Sequence, residues 1–395
     1  MRTTKLYAGV AAAAFLIAAG ASSAADATIK IGVATALTGA YGDLGQQVKR
    51  AVDFAVEEVN AKGGIDGRKV ETQYQDTQAK ADIARQQAEK LVNDGFTILT
   101  GSIASGEALG IAPMLERWDA VMMGTVPKAD ALTGAECSPR FFRANIPDYA
   151  DAATVGTWLK EQSEKKWAIM GSDTAWGRNS GASFTKTASG LTRDIVAEGY
   201  AGLGTNDFAP YIQKILDSGA EGVWVALAGR DAINFAQQAK QFGLIDKLKV
   251  AGVSFVTDNT VKTLGDVSKG IYGIINYSST LDTPANKAFV DAWAKKYPGT
   301  LPANFEGETY LGMQVLFAGI DKADSTSPED IAEALEGIET DTIIGKISVR
   351  QADHQFVRGN FFGRIEDQDG TLRPVVATSV AADVAMPAAD DACKL

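Results

Sequence analysis

Few residues of this sequence could carry out covalent chemistry. Its single histidine, His354, lies in the polar stretch RQADHQFVRG, which is typical of a surface loop or hairpin. A Ser-His-Asp triad would have to use this histidine, but no G-x-S-x-G turn accompanies it. Zinc-ligand spacings, a G-x-x-x-x-G-K-[ST] loop and a G-x-G-x-x-G turn after a strand are missing as well. We therefore predict a protein that is not an enzyme and uses no metal or cofactor; a carboxylate-only hydrolase is the enzyme class left open.

The first 25 residues have the organisation of a secretion signal. Arg2 and Lys5 precede an apolar run at 6–19, and the small residues that follow predict cleavage after Ala24 or Ala25. The alternative is an N-terminal membrane anchor, but the run is shorter than the ~20 apolar residues that span a bilayer. The sequence therefore predicts an exported protein.

The size and charge of the chain limit its domain count and its partners. Roughly 370 residues remain after the signal, more than one hydrophobic core usually serves, so two domains are expected. The formal net charge of the whole chain is −11, which argues against nucleic acid and anionic membranes as partners, because both attract basic surfaces. The two cysteines, Cys137 and Cys393, would meet an oxidising compartment. We predict a disulfide between them, with two free thiols as the alternative.

Hydrophobic patterning predicts strands and helices in alternation. A buried strand is predicted at 28–39, and the next segment has one apolar helical stripe that ends at Gly63 and Gly64. Further strands are predicted at KVETQYQD, FTILTG and AVMMGTV, and the pattern restarts after Asn145 with KWAIMGS, GVWVALAG and KLKVAGVS. The last third predicts helices near 283–297 and 306–322, then GKISV and GNFFGRIED as antiparallel strands. This order predicts an α/β fold with two doubly wound parallel sheets.

The turns that follow the predicted strands are the candidate binding elements. Ligands of open α/β sheets bind beyond the C-terminal ends of the strands. The corresponding turns are 37–42, 100–106, 124–128, 171–177, 226–230 and 252–255. Several are rich in Gly, Ser and Thr, which let backbone N–H groups approach a ligand but also serve ordinary turns and helix caps. Two sheets whose strand ends face each other would gather these turns around one site.

Several stretches carry a family resemblance that spans nearly the whole mature chain. IKIGVATALTGAYGDLGQQVKRAVDFAVEEVNAKGG is the most specific, and GSIASGEALGIAP, WAIMGSDTAWGRNSG and PANFEGETYLGMQVL follow in the family's order. The sequence resembles the type I periplasmic solute-binding proteins of ABC importers, in the leucine/isoleucine/valine-binding family. The resemblance implies a periplasmic protein that closes on a small ligand and delivers it to a permease in the inner membrane. A ligand sensor that acts through a separate partner is the alternative class, and a monomer is expected.

The resemblance also implies the division into lobes. Lobe one would comprise 27–145 plus 277–354, and lobe two 146–276 plus 355–380, joined by a hinge of three chain crossings. The tail at 381–395 would be tied down by the disulfide.

Ligand-binding residues are implied at the positions that match the family. Tyr41 matches an aromatic residue that lines the cleft, and Ser105 matches the serine that holds a ligand carboxylate. Trp176 and Phe305 match further cleft contacts, and Ala228 stands where the family often has an aromatic residue. The alternatives are internal packing for the aromatic residues and a plain helix N-cap for Ser105. Ser102, in the same turn as Ser105, is also a candidate.

Two departures from the family pattern shape the predicted ligand. Amino-acid-binding members carry an acid for the ligand's ammonium group, but Ser254 stands at that position. In the second carboxylate turn, Val126 and Lys128 replace alanine and threonine, unless Thr125 is the matching threonine. A cleft that loses a carboxylate and gains an ammonium should reject a free amine. We therefore predict a small carboxylate without an amine, an aromatic acid being one option.

An amino-acid ligand remains the alternative. Lys128 and Arg230 would then be solvated surface residues, although Arg230 could instead add positive charge to the cleft. Glu306 or Glu308 would replace the missing acid, and the ligand would be an amino acid such as leucine, isoleucine or valine.

Overall fold

Two parallel sheets, each with helices on both faces, form the body of the molecule. The computed structural model describes residues 28–368 and 370–395. The predicted signal at 1–25 lies outside these residues. Within them, no helix is long and apolar enough to cross a membrane. The predicted α/β fold with doubly wound parallel sheets is confirmed.

The first sheet has five parallel strands in the order β2-β1-β3-β4-β5. These strands are β1 (Ile29–Thr35), β2 (Val70–Asp76), β3 (Ile98–Gly101), β4 (Val121–Gly124) and β5 (Phe141–Arg143). The helices between them are α1 (Gly42–Ala61), α2 (Ala81–Asn93) and α3 (Ser105–Ile111), with 3₁₀ turns at Ala112–Met114 and Asp130–Thr133. Helix α1 ends where the sequence predicts, because Gly63 and Gly64 adopt φ values of 110° and 94° that most other residues avoid.

The second sheet has seven strands in the order β15-β14-β10-β9-β8-β6-β7. Its parallel strands are β6 (Lys166–Ser172), β7 (Asp194–Ala201), β8 (Gly222–Ala226), β9 (Lys249–Val253) and β10 (Tyr272–Ile275). Its helices are α4 (Asp148–Leu159), α5 (Ala175–Gly190), α6 (Ala209–Asp217), α7 (Gly229–Gln241), α8 (Leu244–Lys247) and α9 (Asp258–Leu264), followed by a 3₁₀ turn at Gly265–Ser268. All five residues of β8 are buried, as expected for a strand covered on both faces.

The last third of the chain adds elements to both sheets. It contains α10 (Pro284–Lys296), α11 (Asn304–Ala323), α12 (Pro328–Leu335), β11 (Glu339–Thr342), β12 (Gly345–Val349), β13 (Phe356–Val357), β14 (Asn360–Gln368), β15 (Thr371–Val380) and α13 (Ala382–Ala385). Helix α11 packs against α1, and α12 contacts β4. Strands β11, β12 and β13 form a small antiparallel sheet, and β14 joins β10 of the second sheet in antiparallel fashion. The antiparallel strands predicted at GKISV and GNFFGRIED are therefore confirmed.

The chain passes three times between elements of the two sheets: after β5, after β10 and after β13. The passages are held together by side-chain amides. Asn145 accepts a hydrogen bond from Asn276 Nδ2 (2.6 Å), and Gln355 Nε2 donates to the backbone oxygen of Asn145 (2.8 Å). Asn145 Nδ2 in turn donates to the backbone oxygen of Val126 (2.8 Å), which lies in a predicted binding turn.

Two sequence predictions need correction or extension. His354 is only 1% exposed, not at the surface: its ring stacks on Phe142 with 4.1 Å between centroids, and burial lowers its pKa. The prediction failed because the polar residues next to His354 are buried as well, where the segment before β13 packs against β5.

Several strands were not predicted, among them the sheet edges β5, β7 and β15. Strands β7 and β15 have mixed burial patterns, whereas β5 is buried but only three residues long. As an edge strand, β15 also tolerates Pro374.

The tail is covalently tied to the first third of the chain. Cys137 and Cys393 form the predicted disulfide, with 5.5 Å between their Cα atoms. The bond closes a loop across 256 residues of sequence.

Candidate ligand-binding site

A pocket lies where the strand ends of the two sheets face each other. It is formed by the turns after β1, β3 and β4 of the first sheet and after β6, β8 and β9 of the second, with the start of α11. Its lining residues are Tyr41, Leu44, Ile103, Ala104, Ser105, Val126, Lys128, Thr174, Trp176, Ala228, Ser254 and Phe305. The turns that the sequence singled out thus meet at one place.

Eight of the ten residues predicted to bind the ligand line this pocket. The other two, Ser102 and Thr125, are fully buried outside the lining. Thr125 Oγ1 lies 3.3 Å from Thr309 Oγ1, whereas the Ser102 hydroxyl has no partner among the residues that the structure describes. The binding role of all ten residues stays a prediction.

Four lining residues were not predicted: Leu44, Ile103, Ala104 and Thr174. A signal for three of them was present, because Ile103, Ala104 and Thr174 fall inside the turns at 100–106 and 171–177. Leu44 lies one helical turn beyond Tyr41, and its position on the pocket side of α1 follows from helical spacing alone.

Tyr41 lies at the contact between the two sheets. It precedes α1, is 2% exposed, and its pKa is raised by burial, so that its phenol stays neutral. On the other side, Gly229 begins α7 with a φ of 57°, and a Cβ there would lie 2.7 Å from the Ala40 backbone oxygen and 3.1 Å from the Tyr41 ring. Only glycine allows this approach. The turn that carries Tyr41 therefore touches the second sheet directly.

Ser105 is held with its hydroxyl proton available. Its Oγ accepts hydrogen bonds from the backbone N–H groups of Lys128 (3.1 Å) and Ala129 (3.0 Å). A hydroxyl that accepts two hydrogen bonds still has one proton to donate. Behind it, Glu107 accepts from the N–H groups of Ile103 and Ala104, both at 2.7 Å, and burial raises the pKa of this carboxyl.

Lys128 lines the pocket, but its ammonium is already paired. Nζ lies 2.7 Å from Asp151 Oδ2 and 3.2 Å from the backbone oxygen of Ile146, and both side chains of the ion pair are less than 5% exposed. The prediction that this ammonium is a free charge of the cleft is wrong, because the carboxylate of Asp151 already compensates it. Arg230 is exposed and adds no charge to the pocket.

Trp176 lines the pocket from the second sheet. It is the second residue of α5, whose first turn is capped by Thr174 Oγ1. Trp176 is 7% exposed, and its Nε1 has no hydrogen-bond partner within residues 28–368 and 370–395. Helix α5 contacts α3, which begins at Ser105. Residues with available donors therefore line the same pocket from both sheets.

No carboxylate was found among the lining residues of the described chain. Glu306, which could have replaced the acid missing at Ser254, instead accepts from Arg50 Nε at 2.6 Å. Glu308 accepts from Asn145 and Asn304, and burial raises its pKa to about 7. A ligand ammonium would therefore meet no acid in the pocket. The described residues also contain no cluster of His, Cys, Asp or Glu that could hold a metal ion.

Known proteins match the chain over most of its length. Residues 28–371 match the family described as "Periplasmic binding protein". The Leu/Ile/Val-binding protein BraC3 of Rhizobium johnstonii is 29% identical over 329 residues, which cover 82% of this chain and 88% of that protein. The leucine-, isoleucine-, valine-, threonine- and alanine-binding protein of Pseudomonas aeruginosa is 27% identical, with 88% and 91% covered.

A solved structure supports the same fold. The solute-binding protein of an ABC transporter from R. palustris, in complex with 4-hydroxybenzoate, superimposes with a TM-score of 0.83 at 24% identity. The match covers 90% of this chain and 97% of that one.

Proposed function

The chain belongs to the periplasmic binding protein family, and from this premise we propose that it is the solute-binding component of an ABC importer. It binds a small carboxylate without an amine, an aromatic acid being one option, between lobes at 27–145 plus 277–354 and 146–276 plus 355–380. The closed, loaded form is recognised by the inner-membrane permease. The protein acts as a periplasmic monomer after cleavage near Ala24 or Ala25, and it binds without chemical turnover.

The observation that carries the proposal is the chemistry of the pocket between the two sheets. Apolar side chains such as Leu44, Val126 and Phe305 offer a surface for the body of a small molecule. Ser105 and Trp176 offer hydrogen-bond donors, and the described residues of the lining include no acid. A carboxylate can be held by neutral donors in such a site, whereas an ammonium would be desolvated without a partner at a large cost.

Contact with both sheets explains how binding would produce closure. A ligand that touches turns of both sheets binds the closed arrangement better than an open one and shifts the population toward it. Tyr41 and Ser105 act from the first sheet, and Trp176 and Ala228 from the second.

An amino-acid ligand is the second candidate, because relatives of this chain are named as Leu/Ile/Val-binding proteins. The two candidates differ by one ammonium group. Leucine and 4-methylpentanoate share the same skeleton, so this pair isolates the effect of the amine.

A thermal-shift screen of the mature, ligand-stripped protein tests the proposal. The panel contains benzoate, 4-hydroxybenzoate, 4-methylpentanoate, leucine, isoleucine and valine. A ligand that binds only the folded state raises the melting temperature by mass action. We expect shifts with the acids and a smaller shift, or none, with leucine. A shift with leucine and none with any acid would establish the amino-acid reading instead, and no shift at all would refute both.

Ser254→Asp tests the same selectivity by substitution. Ser254 has a φ of 56°, a conformation that Asp and Asn tolerate. The added carboxylate should weaken 4-methylpentanoate binding by roughly tenfold or more, because like charges repel strongly in a desolvated pocket. It should also raise the affinity for leucine. Ser254→Asn is the matched control, since it has nearly the same shape without the charge, and equal effects of Asn and Asp in calorimetry would contradict the charge argument.

A further inference from the structure

Two residues that line the pocket, Trp176 and Ser105, have hydrogen-bond donor capacity that the described chain leaves unused. The indole N–H of Trp176 has no partner within residues 28–368 and 370–395, although the residue is 93% buried. The Ser105 hydroxyl accepts from Lys128 and Ala129 and keeps its own proton to donate. Most buried donors in native proteins are paired, so a buried N–H that lines a ligand pocket needs an acceptor from the occupant.

The two donors belong to different sheets but to neighbouring helix starts. Ser105 begins α3, which follows β3 of the first sheet, and Trp176 lies in the first turn of α5, which follows β6 of the second. Helices α3 and α5 contact each other. The remaining lining toward α1 and α11 is largely apolar, with Leu44 and Phe305 as its larger aliphatic and aromatic members.

Neither Lys128 nor Arg230 is available to bind an anionic ligand group in place of these donors. The ammonium of Lys128 is taken by Asp151 at 2.7 Å, and Arg230 is exposed. An anionic group in this pocket therefore has neutral donors as its nearest described partners. Hydrogen bonds from neutral donors to a carboxylate are strong because the acceptor is charged.

We propose that the indole N–H of Trp176 and the hydroxyl of Ser105 donate to the same carboxylate group of the ligand, one from each sheet. This inference rests on the proposed function. It adds an explanation of how ligand binding would be coupled to closure of the two lobes. A carboxylate bound only by Ser105 would contact the first sheet alone. Once the second sheet closes, Trp176 adds the second bond, so the anionic group itself favours the closed state.

Trp176→Phe separates this donor role from aromatic packing, because it keeps a large ring and removes the N–H. The probes are 4-methylpentanoate and 4-hydroxybenzoate, measured by calorimetry. We expect Trp176→Phe to weaken both acids about tenfold to a hundredfold, the range for one hydrogen bond to a charged group. Trp224→Phe is the matched control: its Nε1 donates to Ser180 Oγ at 3.1 Å inside the second sheet, away from the pocket. It should lower stability but leave both affinities unchanged.

Indole resonances of the wild-type protein give a second readout, for which Trp176→Phe is needed only to assign the resonance. In ¹H–¹⁵N spectra, saturation with 4-methylpentanoate should move one indole N–H resonance downfield. The uncharged analogue 4-methylpentan-1-ol should not reproduce this shift. The resonance that moves should be the one missing from Trp176→Phe.

The outcomes distinguish this inference from the proposed function. If the wild-type protein binds the acids but Trp176→Phe binds them equally well, or no indole resonance moves, the shared-carboxylate geometry is wrong and the acid-binding function stands. If neither acid binds the wild-type protein, both the function and the inference are refuted.

Discussion

Lys128 connects residues that belong to different sheets. Its backbone N–H donates to Ser105 in the first sheet, while its Nζ pairs with Asp151 of α4, and Asp151 also accepts from Asn360 Nδ2 of β14 at 2.9 Å. At the scale of single residues, Lys128 is therefore better described as a support of the pocket than as a contact for the ligand's charge.

Lys128→Met should destabilise the protein. The substitution leaves the Asp151 carboxylate buried without its cation, and removing one partner of a buried pair typically costs about 3–5 kcal/mol. We expect this loss in the free energy of unfolding from urea titration, and a substantial recovery in Lys128→Met/Asp151→Asn. Unchanged stability combined with lost binding of 4-methylpentanoate would show that the ammonium acts on the ligand instead.

Helix α1 lies close to the end of β1, and this contact fixes the position of Tyr41. A Cβ on Gly45 would lie 1.7 Å from the backbone oxygen of Ala36, and Gly45 N–H donates to the backbone oxygen of Tyr41 at 2.9 Å. At the scale of elements, the first turn of α1 and the turn before it are thus one packed unit. Gly45 is buried, and no larger residue fits between helix and strand.

Gly45→Ala should affect stability and binding together. The added methyl group forces α1 away from Ala36, and overpacking of this kind typically costs about 1–3 kcal/mol. The turn that presents Tyr41 must move with it, so the affinity for 4-methylpentanoate should also fall. Calorimetry and urea unfolding measure the two effects. Gly190→Ala, at the end of α5 with no atom within 4 Å of its added Cβ, is the control that should preserve both.

Several contacts join the elements of the two sheets across the whole molecule. Besides the contact of Tyr41 with Gly229, Asp130 N–H donates to Asn179 Oδ1 at 2.6 Å, and Asn179 Nδ2 donates back to Asp130 Oδ2 at 3.1 Å. Farther out along the cleft, Asp258 at the start of α9 and Glu306 at the start of α11 line one groove. These two acidic residues thus share one groove although their helices belong to different sheets.

The pKa of Asp258 is raised to about 6, first by burial and then by Glu306; Arg373 of β15 acts in the opposite direction. Arg50 and Lys262 line the same groove. A raised pKa in the folded state means that protonation stabilises the fold: this stability is present below the unfolded pKa and is lost as pH rises through about 6. The folded protein should therefore become more stable as the pH falls below about 6.

Asp258→Asn should raise the melting temperature at pH 7 relative to the wild-type protein, and the difference should shrink toward pH 4.5. The amide mimics the protonated carboxyl at every pH, so only the wild-type protein loses stability as the carboxylate ionises. Melting curves across this pH range measure the effect. Asp391→Asn, an exposed position in the tail, should give no pH-dependent difference. A constant difference for Asp258→Asn would contradict this assignment.

The sequence by itself determined the alternation of strands and helices, the turns at the strand ends and most of the pocket lining. These features are local: burial periodicity and turn residues are written within short stretches of chain, as in the stripe of α1 and its stop at Gly63 and Gly64. The edge strands β7 and β15 were not predicted, because an exposed edge strand shows little of that periodicity.

Only the tertiary structure decided the electrostatics of the site. Lys128 and Asp151 are 23 positions apart, and the indole N–H of Trp176 has no partner among the described residues; neither fact follows from local pattern. The burial of His354 was also decided by packing: its polar neighbours in sequence suggest a surface position, but its ring stacks on Phe142. Charges and hydrogen bonds depend on which distant groups share a desolvated space, and that is fixed by packing rather than by periodicity.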